Sequence, residues 1–576
     1  MIAQMEYSGR SGIVNSLRAG HVFFAVNLKR DPTFFRGKLA DPIVLREALA
    51  ALYHVVVSDY KYHPKDRLAF FAWLEAQDRK FLANLGIRNE KAASKILQLE
   101  DRLEDLNDVR DERLKPFYKA RAQYFEYVYE NQYELNYLLD PIITVHPDEV
   151  SFEAFSRDES TYARLAAKFD LFEDVGDFQC GTTNIDFSAG LHNEMEKLRS
   201  YRQTQFDVAP TGLTVTVDDQ STMEKKIELP DSWVMGFLQV HSTMTLGMTR
   251  FHMAPVDLYN ICRFLRRKKT KKSPRTLRYE LVPGQPIRAI LEPWEHVIEL
   301  TPATTMEGGA PLTRELTPGA IYDGPKPTSI RTWGRNRLLT ITRLLPLCRR
   351  VDVFLAGYGL PTIYVLDLGP ITFTLALSGW TDNDWTGGGT KFDLLTRQLK
   401  VDTVELALTY QALKTQFAAT EGELSNATAL GVEKTRSALS HLCQIGRAMY
   451  DLGGGVFRHR ELFPTPFTTA EATKALKSIT PDPTPQETAA NTIFLQRGIR
   501  ITSRRPVSTG YKLTGNAKGN DGVRSRPLIH IDHEGHIVEA ECTCQQYKKH
   551  KLTKGPCEHV LALRLAHMAR VEQEDN

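Results

Sequence analysis

Residues 527–568 read PLIHIDHEGHIVEAECTCQQYKKHKLTKGPCEHVLALRLAHM. Leu528 to Asp532 and His536 to Glu541 are apolar and β-branched runs flanking a turn at His533 to Gly535, which predicts a hairpin. Cys542-Thr-Cys544 ends its second strand, and Cys557-Glu-His559 opens a predicted helix over Glu558 to Met568, with Val560, Leu563 and Leu565 among its apolar residues. Pro556 favours an extended approach into that helix. Three thiols and one imidazole are the donor set of a tetrahedral structural zinc site. With one residue between them, Cys542 and Cys544 reach one ion only where the chain turns. The second pair lies at a helix start, where unpaired N–H groups moderate thiolate charge. Four filled positions leave none for water, which argues against hydrolysis at the metal. We expect one structural Zn2+ held by Cys542, Cys544, Cys557 and His559. His550 is the alternative fourth ligand, and His567 reads as a packing or surface residue.

The order Cys-x-Cys, twelve residues, Cys-x-His, between a hairpin and a helix, resembles the SWIM-type zinc finger over roughly Pro527 to Arg570. The resemblance implies a zinc-stabilised β-β-α module of a kind that contacts DNA or protein. A large N-terminal region, the segment Leu439 to Phe463 and the C-terminal finger together are similar to bacterial SWIM-finger proteins, some encoded beside MoxR-type AAA ATPases and von Willebrand A domain proteins. A protein partner in an ATPase-linked complex is what that similarity implies.

Upstream of the finger, Ser478 to Gln486 holds three prolines within the Thr-, Ala- and Pro-rich stretch 469–491, which reads as a linker. Before it, 392–468 is a helical or winged-helix-like segment. Val432 to Ile445 carries Ala438, Leu439, Leu442 and Cys443 at helical spacing, and the run Gly453 to Gly455 precedes an extended Val456 to Leu462. Residues 277–391 form a strand-rich middle domain, with short β-branched runs such as Val351 to Leu355, Thr362 to Leu366 and Ile371 to Leu377 that suit antiparallel pairing. Residues 141–276 read as a mixed region with a strand at Leu213 to Val217 and a helix from Pro255 to Lys269. Residues 1–140 read as helical, on the spacing of Ile96, Leu99, Leu103, Leu106 and Val109. A helical hairpin explains that stripe, with an intermolecular coiled coil as the sharper alternative. The fold class is therefore α+β, ending in a C-terminal domain over 492–576.

The 576 residues suggest three or four domains at roughly 150 residues each. With 42% apolar and 25% charged residues the chain is of the ordinary globular class. Seven cysteines, four of them scattered singly, exclude a secreted disulfide scaffold. Neither a signal peptide nor a run of about 20 apolar residues is present, so we expect a cytoplasmic protein without membrane contact.

A net charge of +3 means that any anionic partner must be held by a local patch. One cluster runs from Arg263 through Arg266, Arg267, Lys268 and Lys269 to Arg275, at a predicted helix end. A second surrounds the metal and includes Arg500, Arg505, Lys512, Lys518, Arg526, Lys548, Lys549, Lys551 and Lys554, with Tyr547 as a ring for stacking or packing. These are the candidate nucleic-acid contacts, and a solvated surface is the competing reading. Enzyme patterns fail. Gly387 to Lys391 lacks the spacing of a phosphate loop, Asp382 and Asp384 suit a turn, and His192 with Glu194 and Glu196 matches no metal-hydrolase pattern. We expect a zinc-containing binding or scaffold protein, with an enzyme in the middle domain as the less favoured class.

Overall fold

Asp41 starts the first long helix of the chain. Its carboxylate accepts from the N–H groups of Ile43 (2.9 Å) and Val44 (3.4 Å), and Pro42 occupies the first turn, where a missing N–H costs nothing. The computed structural model describes residues 33–59, 141–185, 195–201, 203–209, 231–270, 274–301, 321–380, 383–386, 401–462, 485–507, 510–519, 522–532 and 537–574, with short pieces at 3–4, 12–15, 19–25, 102, 105–106, 192, 228–229, 392 and 395. The chain divides into two compact units, Met1–Asp59 with Leu139–Asn576, and Tyr60–Leu138. The second unit, and with it the helical stripe expected from Ile96 to Leu138 and its coiled-coil alternative, lies almost wholly outside the described residues. So do the strand expected at Leu213 to Val217 and the glycine-rich Gly387 to Lys391.

The N-terminal region departs from its helical reading. Strands β1 (Gly12–Asn15), β2 (Ala19–Ala25) and β3 (Phe34–Leu39) precede helix α1 (Pro42–Val56). In β3 the period is two: Phe35, Gly37 and Leu39 are buried, and Arg36 between them is exposed. A side chain at Gly37 would stand 2.7 Å from Phe172, so only glycine admits that ring.

The mixed region is built largely of strands: β4 (Ile142–Val145), β5 (Glu149–Phe155), β6 (Thr161–Lys168), β7 (Phe172–Gln179), β8 (Gly181–Asn184) and β9 (Gln203–Ala209). Helix α2 (Asp231–Met244), β10 (Thr249–Met253) and α3 (Pro255–Arg267) follow. The middle contributes β11 (Leu277–Leu281), β12 (Arg288–Leu291), β13 (His296–Glu299), β14 (Thr328–Thr332), β15 (Arg350–Leu355), β16 (Thr362–Asp367) and β17 (Ile371–Leu377). The central sheet has eight antiparallel strands in the order β10-β15-β16-β17-β6-β5-β4-β8, so it joins strands from both regions. Smaller sheets run β1-β2-β9-β3-β7 and β13-β12-β11-β14. Strands β4, β5 and most of β6 are buried on both faces, and α1 packs on β5, β6 and β17.

Residues 401–462 form a separate core around Leu406, Leu413, Leu424, Leu439 and Leu442. Its elements are α4 (Thr403–Gln416), β18 (Ala418–Ala419), α5 (Glu421–Thr428), α6 (Val432–Gln444), β19 (Ala448–Asp451) and β20 (Val456–His459), with sheet order β18-β20-β19. Thr420 and Glu423 form a reciprocal capping box at the start of α5.

Buried charges fasten this segment to the central sheet. Arg460 and Glu153 are both fully buried and pair at 3.2 Å, while Tyr162 (2.7 Å) and His241 (2.9 Å) also donate to Glu153. Arg458 reaches Asp148 (2.8 Å), Asp451 (3.1 Å) and Glu149 (3.2 Å), and Arg164 pairs with Glu149. Burial works to raise the Glu153 carboxyl, but Arg460, His241 and Tyr162 outweigh it and hold the group well below its ordinary value.

The C-terminal domain begins with α7 (Pro485–Leu495), which starts inside the stretch 469–491; residues 463–484 lie outside the described set. Strands β21 (Ile499–Val507), β22 (Gly510–Lys518), β23 (Arg524–Ser525), β24 (Leu528–Asp532) and β25 (Ile537–Glu541) follow, then α8 (Gln545–His550) and α9 (Glu558–Glu574). The sheet runs β21-β22-β24-β25, with β23 on β22. Helices α7 and α9 pack together, and α9 lies along β21, β22 and β24. Gly515 marks the closest approach of this sheet to α9, since a Cβ there would lie 2.8 Å from Leu563.

Candidate metal centre

The hairpin and two short turns of helix bring the four donors together. Cys542 directly follows β25, and Cys544 caps α8, its sulfur accepting from the Tyr547 N–H at 3.4 Å. Cys557 stands just before α9, where its carbonyl accepts from the Leu561 N–H at 3.1 Å, and His559 is in that helix's first turn. The four ligand atoms lie within 4.8 Å of one another. A tetrahedral ion with bonds of about 2.3 Å needs sulfurs about 3.8 Å apart, which this spacing accommodates. Both ring nitrogens of His559 are buried without a hydrogen-bond partner in the protein, a costly state that a metal bond to one of them relieves. Hydrogen bonding with Cys557 lowers the Cys542 and Cys544 thiols, and the same contacts raise that of Cys557. The residues fit a single structural Zn2+ in a Cys3His site.

His550 is not part of the cluster; it ends α8, and its carbonyl accepts from the Thr553 N–H at 3.0 Å. His567 packs its ring 5.6 Å from that of Tyr511. Tyr547 is a packing residue: it is 9% exposed and its hydroxyl donates to the Ala540 carbonyl at 2.7 Å. Among the described residues this is the one group of His, Cys, Asp and Glu placed to hold a metal. Asp382 and Glu194 lie outside the described residues, His192 stacks on Tyr53 at 4.1 Å, and Glu196 pairs with Arg343 at 2.8 Å.

The cations expected at the metal site take up two positions. Lys548, Lys549 and Lys551 are exposed and Lys554 is half-buried, with the Lys551 Nζ 5.0 Å from the Tyr547 ring centre. The rest lie on the sheet. In β22, Leu513, Gly515 and Ala517 face α9, which leaves Lys512, Asn516 and Lys518 on the opposite, open face. Arg500 and Arg505 of β21 lie opposite Asn516 and Lys512, and Arg524 pairs beside Lys518. Two acidic residues of β25, Glu539 and Glu541, edge the same face, with Glu539 3.7 Å from Lys512. A groove of about 590 Å³ crosses it, lined by Thr502, Thr514, Arg526, Glu541, Tyr547 and Lys551 among others. The other basic cluster, at the end of α3, is also exposed: Arg266 and Arg267 end the helix, and Lys268 and Lys269 follow.

Most of helix α9 faces inward, and among its described side chains only Arg570 is exposed. Residues Val560 to Leu563 are buried, as are Arg564 (3% exposed) and His567 (6% exposed), so even the one arginine in the middle of the helix is not an outward contact. The reason is that α9 is wedged between the sheet and α7. A feature that the motif does not announce lies beside the zinc loop. The Thr553 carbonyl accepts from the buried Asn383 side chain at 2.6 Å, and its methyl packs on Gly359 next to Trp333.

The SWIM zinc finger family matches residues 525–567 of this chain. No curated protein matches it. Among solved structures, Proliferating Cellular Nuclear Antigen from Entamoeba histolytica is similar over 60% of this chain and 98% of its own, at 8% identity and a TM-score of 0.31, too low for any argument about fold or function. Among the described residues no helix is long and apolar enough to cross a membrane.

Proposed function

We propose that this chain, which carries a SWIM-type zinc finger at residues 525–567, is a nucleic-acid-binding protein whose contact surface is the open face of the C-terminal sheet together with the zinc loop. The observation that carries this is charge segregation. Between residues 497 and 554 twelve Arg and Lys stand against five Asp and Glu, an excess of seven in a chain whose net charge is +3. Ten of those cations, Arg497, Arg500, Arg505, Lys512, Lys518, Arg524, Arg526, Lys548, Lys549 and Lys551, are exposed. The zinc ion, on this reading, is architectural: it pins the loop that presents the lysines.

The segment 401–462 has the element order of a winged helix, and we read it as one with a structural role. Its α6, the helix that such folds insert into a groove, packs against α2. Thr435, Ser437 and Ser440 of α6 are buried, Lys434 is paired with Glu405 and Arg436 with Glu421. The fully buried Glu153, with both oxygens engaged, likewise supports a clamp rather than an active site in the middle of the chain.

Binding of the zinc-loaded full chain to labelled single-stranded and duplex DNA and RNA, followed by anisotropy across a salt series, tests the proposal. Each phosphate contact contributes about 0.7 (single strand) to 0.9 (duplex) to the slope of log K against log salt. Replacing Lys548, Lys549 and Lys551 by Ala is therefore expected to reduce that slope by about 2 to 3 and to leave zinc content unchanged. Absence of binding at low salt overturns the reading. Attention then passes to a protein partner, of which an ATPase-linked complex is the form that the family resemblance implies.

A further inference from the structure

Two basic clusters far apart in sequence, 263–275 and 548–554, border the same end of one small sheet. Leu277, the first residue of β11, lies opposite Leu291 at the end of β12 and Thr332 at the end of β14. The chain therefore leaves this end of the sheet at Glu292 to Trp294 and at Trp333, and enters it through Arg275 and Thr276. The entering segment is the continuation of α3 and its terminal cations. On the other side, Trp333 adjoins Gly359, whose position a Cβ would bring within 2.5 Å of the Thr553 methyl and 3.5 Å of the Trp333 ring. Thr553 is in the zinc loop, between Lys551 and Lys554.

Aromatic rings line the interval. Trp333 meets Tyr358 edge-on at 5.2 Å and Trp380 at 4.7 Å; Tyr358 is 46% exposed, and both tryptophans are partly exposed. Gly359 holds the group together, its N–H donating to the Arg331 carbonyl at 3.1 Å and its own carbonyl accepting from Trp380 at 2.9 Å. Toward α3, the Arg335 guanidinium lies 5.0 Å from the Trp294 ring centre, and Trp294 meets Phe264 of α3 at 5.3 Å. Burial, and next the neighbouring Arg275, lower Arg335 to about 10. The Glu292 carboxylate opposes that shift, and Arg335 still carries its charge at neutral pH.

We infer that this end of the sheet is a stacking platform for single-stranded nucleic acid, with bases on Trp333 and Tyr358 and phosphates drawn to the zinc-loop lysines on one side and to the cations ending α3 on the other. The inference rests on the nucleic-acid reading and narrows it to single strands. Exposed ring faces beside cations suit unpaired bases, each of which offers a π-face. A duplex keeps its bases stacked inside and would meet only the cations.

The test uses the zinc-loaded full chain, a labelled oligothymidylate of about 20 nucleotides and a duplex of matching length, a span that covers one or two typical sites. Combining Tyr358→Ala with Trp333→Leu removes both stacks, at about 1–3 kcal/mol each, and is expected to weaken single-strand binding about thirtyfold or more and to leave duplex binding unchanged. Tyr358→Phe keeps the ring and is expected to retain affinity, which excludes the Tyr358 hydroxyl as the contact. A 2-aminopurine placed in the single strand should be quenched on binding to the unsubstituted chain and less so on binding to the Tyr358→Ala variant. Unaltered single-strand affinity in the aromatic variants, with binding still lost when Lys548, Lys549 and Lys551 are replaced, overturns the platform and leaves the cationic surface standing. Absence of binding to either probe by the unsubstituted chain overturns both.

Discussion

Arg460→Met tests whether buried charge, and not only apolar packing, fixes the 401–462 segment with α6 turned inward. The Arg460 side chain is fully buried, with Nη1 3.2 and 3.4 Å from the two oxygens of Glu153, and its guanidinium lies 5.3 Å from the Phe237 ring. Methionine keeps most of the apolar contact and deletes the cation. Glu153 then retains only Tyr162 and His241 among the donors that hold its charge, and it has two options. Remaining ionised leaves a buried charge short of its main counterion, which typically costs about 3–5 kcal/mol. Taking up a proton at pH 7, against an ordinary value of 4.5, costs about 3.4 kcal/mol. The cheaper route sets the ceiling, so the variant should lose about 3 kcal/mol at pH 7. At pH 5 the same protonation costs only about 0.7 kcal/mol. In the unsubstituted chain the depressed Glu153 contributes stability above its unfolded value and loses it as pH falls through the folded value. In the variant the group is raised, so the deficit is present at neutral pH and closes on acidification. Urea unfolding at both pH values, with hydrogen exchange over 401–462, measures the gap, and adding Glu153→Gln to Arg460→Met should close most of it at pH 7. A deficit below about 1 kcal/mol at pH 7, or one that does not change with pH, would refute the reasoning.

The metal site yields two further expectations. Cys542→Ser and His559→Ala should each lower bound zinc and the thermal stability of the C-terminal domain together, whereas His550→Ala should keep one zinc per chain by atomic absorption; retained stoichiometry in the first pair would sink the ligand set. Gly515→Ala inserts a methyl 2.8 Å from Leu563 and 3.1 Å from the Arg500 carbonyl, so it should destabilise the domain by about 1–3 kcal/mol, read as a lowered Tm without loss of zinc.

The metal site was legible because its donors are few, distinctive in chemistry and tied to element ends that period alone reveals. Short strands of the middle, such as Ile371–Leu377, were legible for a similar reason: β-branched runs end at Gly and Pro. The strands from Ile142 to Lys168 were not, although they form three of the eight strands of the central sheet. They are buried on both faces, so no polar face alternates with an apolar one, and Glu149, Glu153 and Arg164 sit inside them as members of the ion network. A buried carboxylate in a strand reads as surface until its cation, here some 300 residues away at Arg458 or Arg460, is placed beside it. The first strands, β1 to β3, were hidden by the helical stripe that follows them, and β22 by Gly510 and Gly515, one of which exists to admit Leu563. The aromatic group beside the zinc loop did leave a trace. Trp333-Gly334, Tyr358-Gly359 and Gly379-Trp380 pair each ring with a glycine in left-handed conformation, at φ of 76°, 69° and 91°. Three such pairs mark rings held on tight turns at the surface.

The zinc finger is not an appendage of this fold, and that bears on how metal and ligand communicate. Cys542, Cys557, Val560 and Leu563 belong to the same continuous core as Phe373 and Leu375 of the central sheet. The loop between the ligand pairs is fastened at Thr553 by Asn383, itself held to the Ser378 carbonyl at 3.3 Å in the turn that carries Trp380. Zinc fixes both ends of that loop, and Thr553 joins its middle to the aromatic group. A ligand seated on the rings and lysines at once requires the loop in place, so it must bind the metal-loaded chain more tightly than the metal-free one. Reciprocity then obliges the ligand to tighten zinc by the same factor. Competition against a chelator with and without the oligonucleotide reads that factor directly. A zinc affinity that does not move while the oligonucleotide is bound would mean that the loop is held by Asn383 and Gly359 alone, with the metal serving only the domain's own stability.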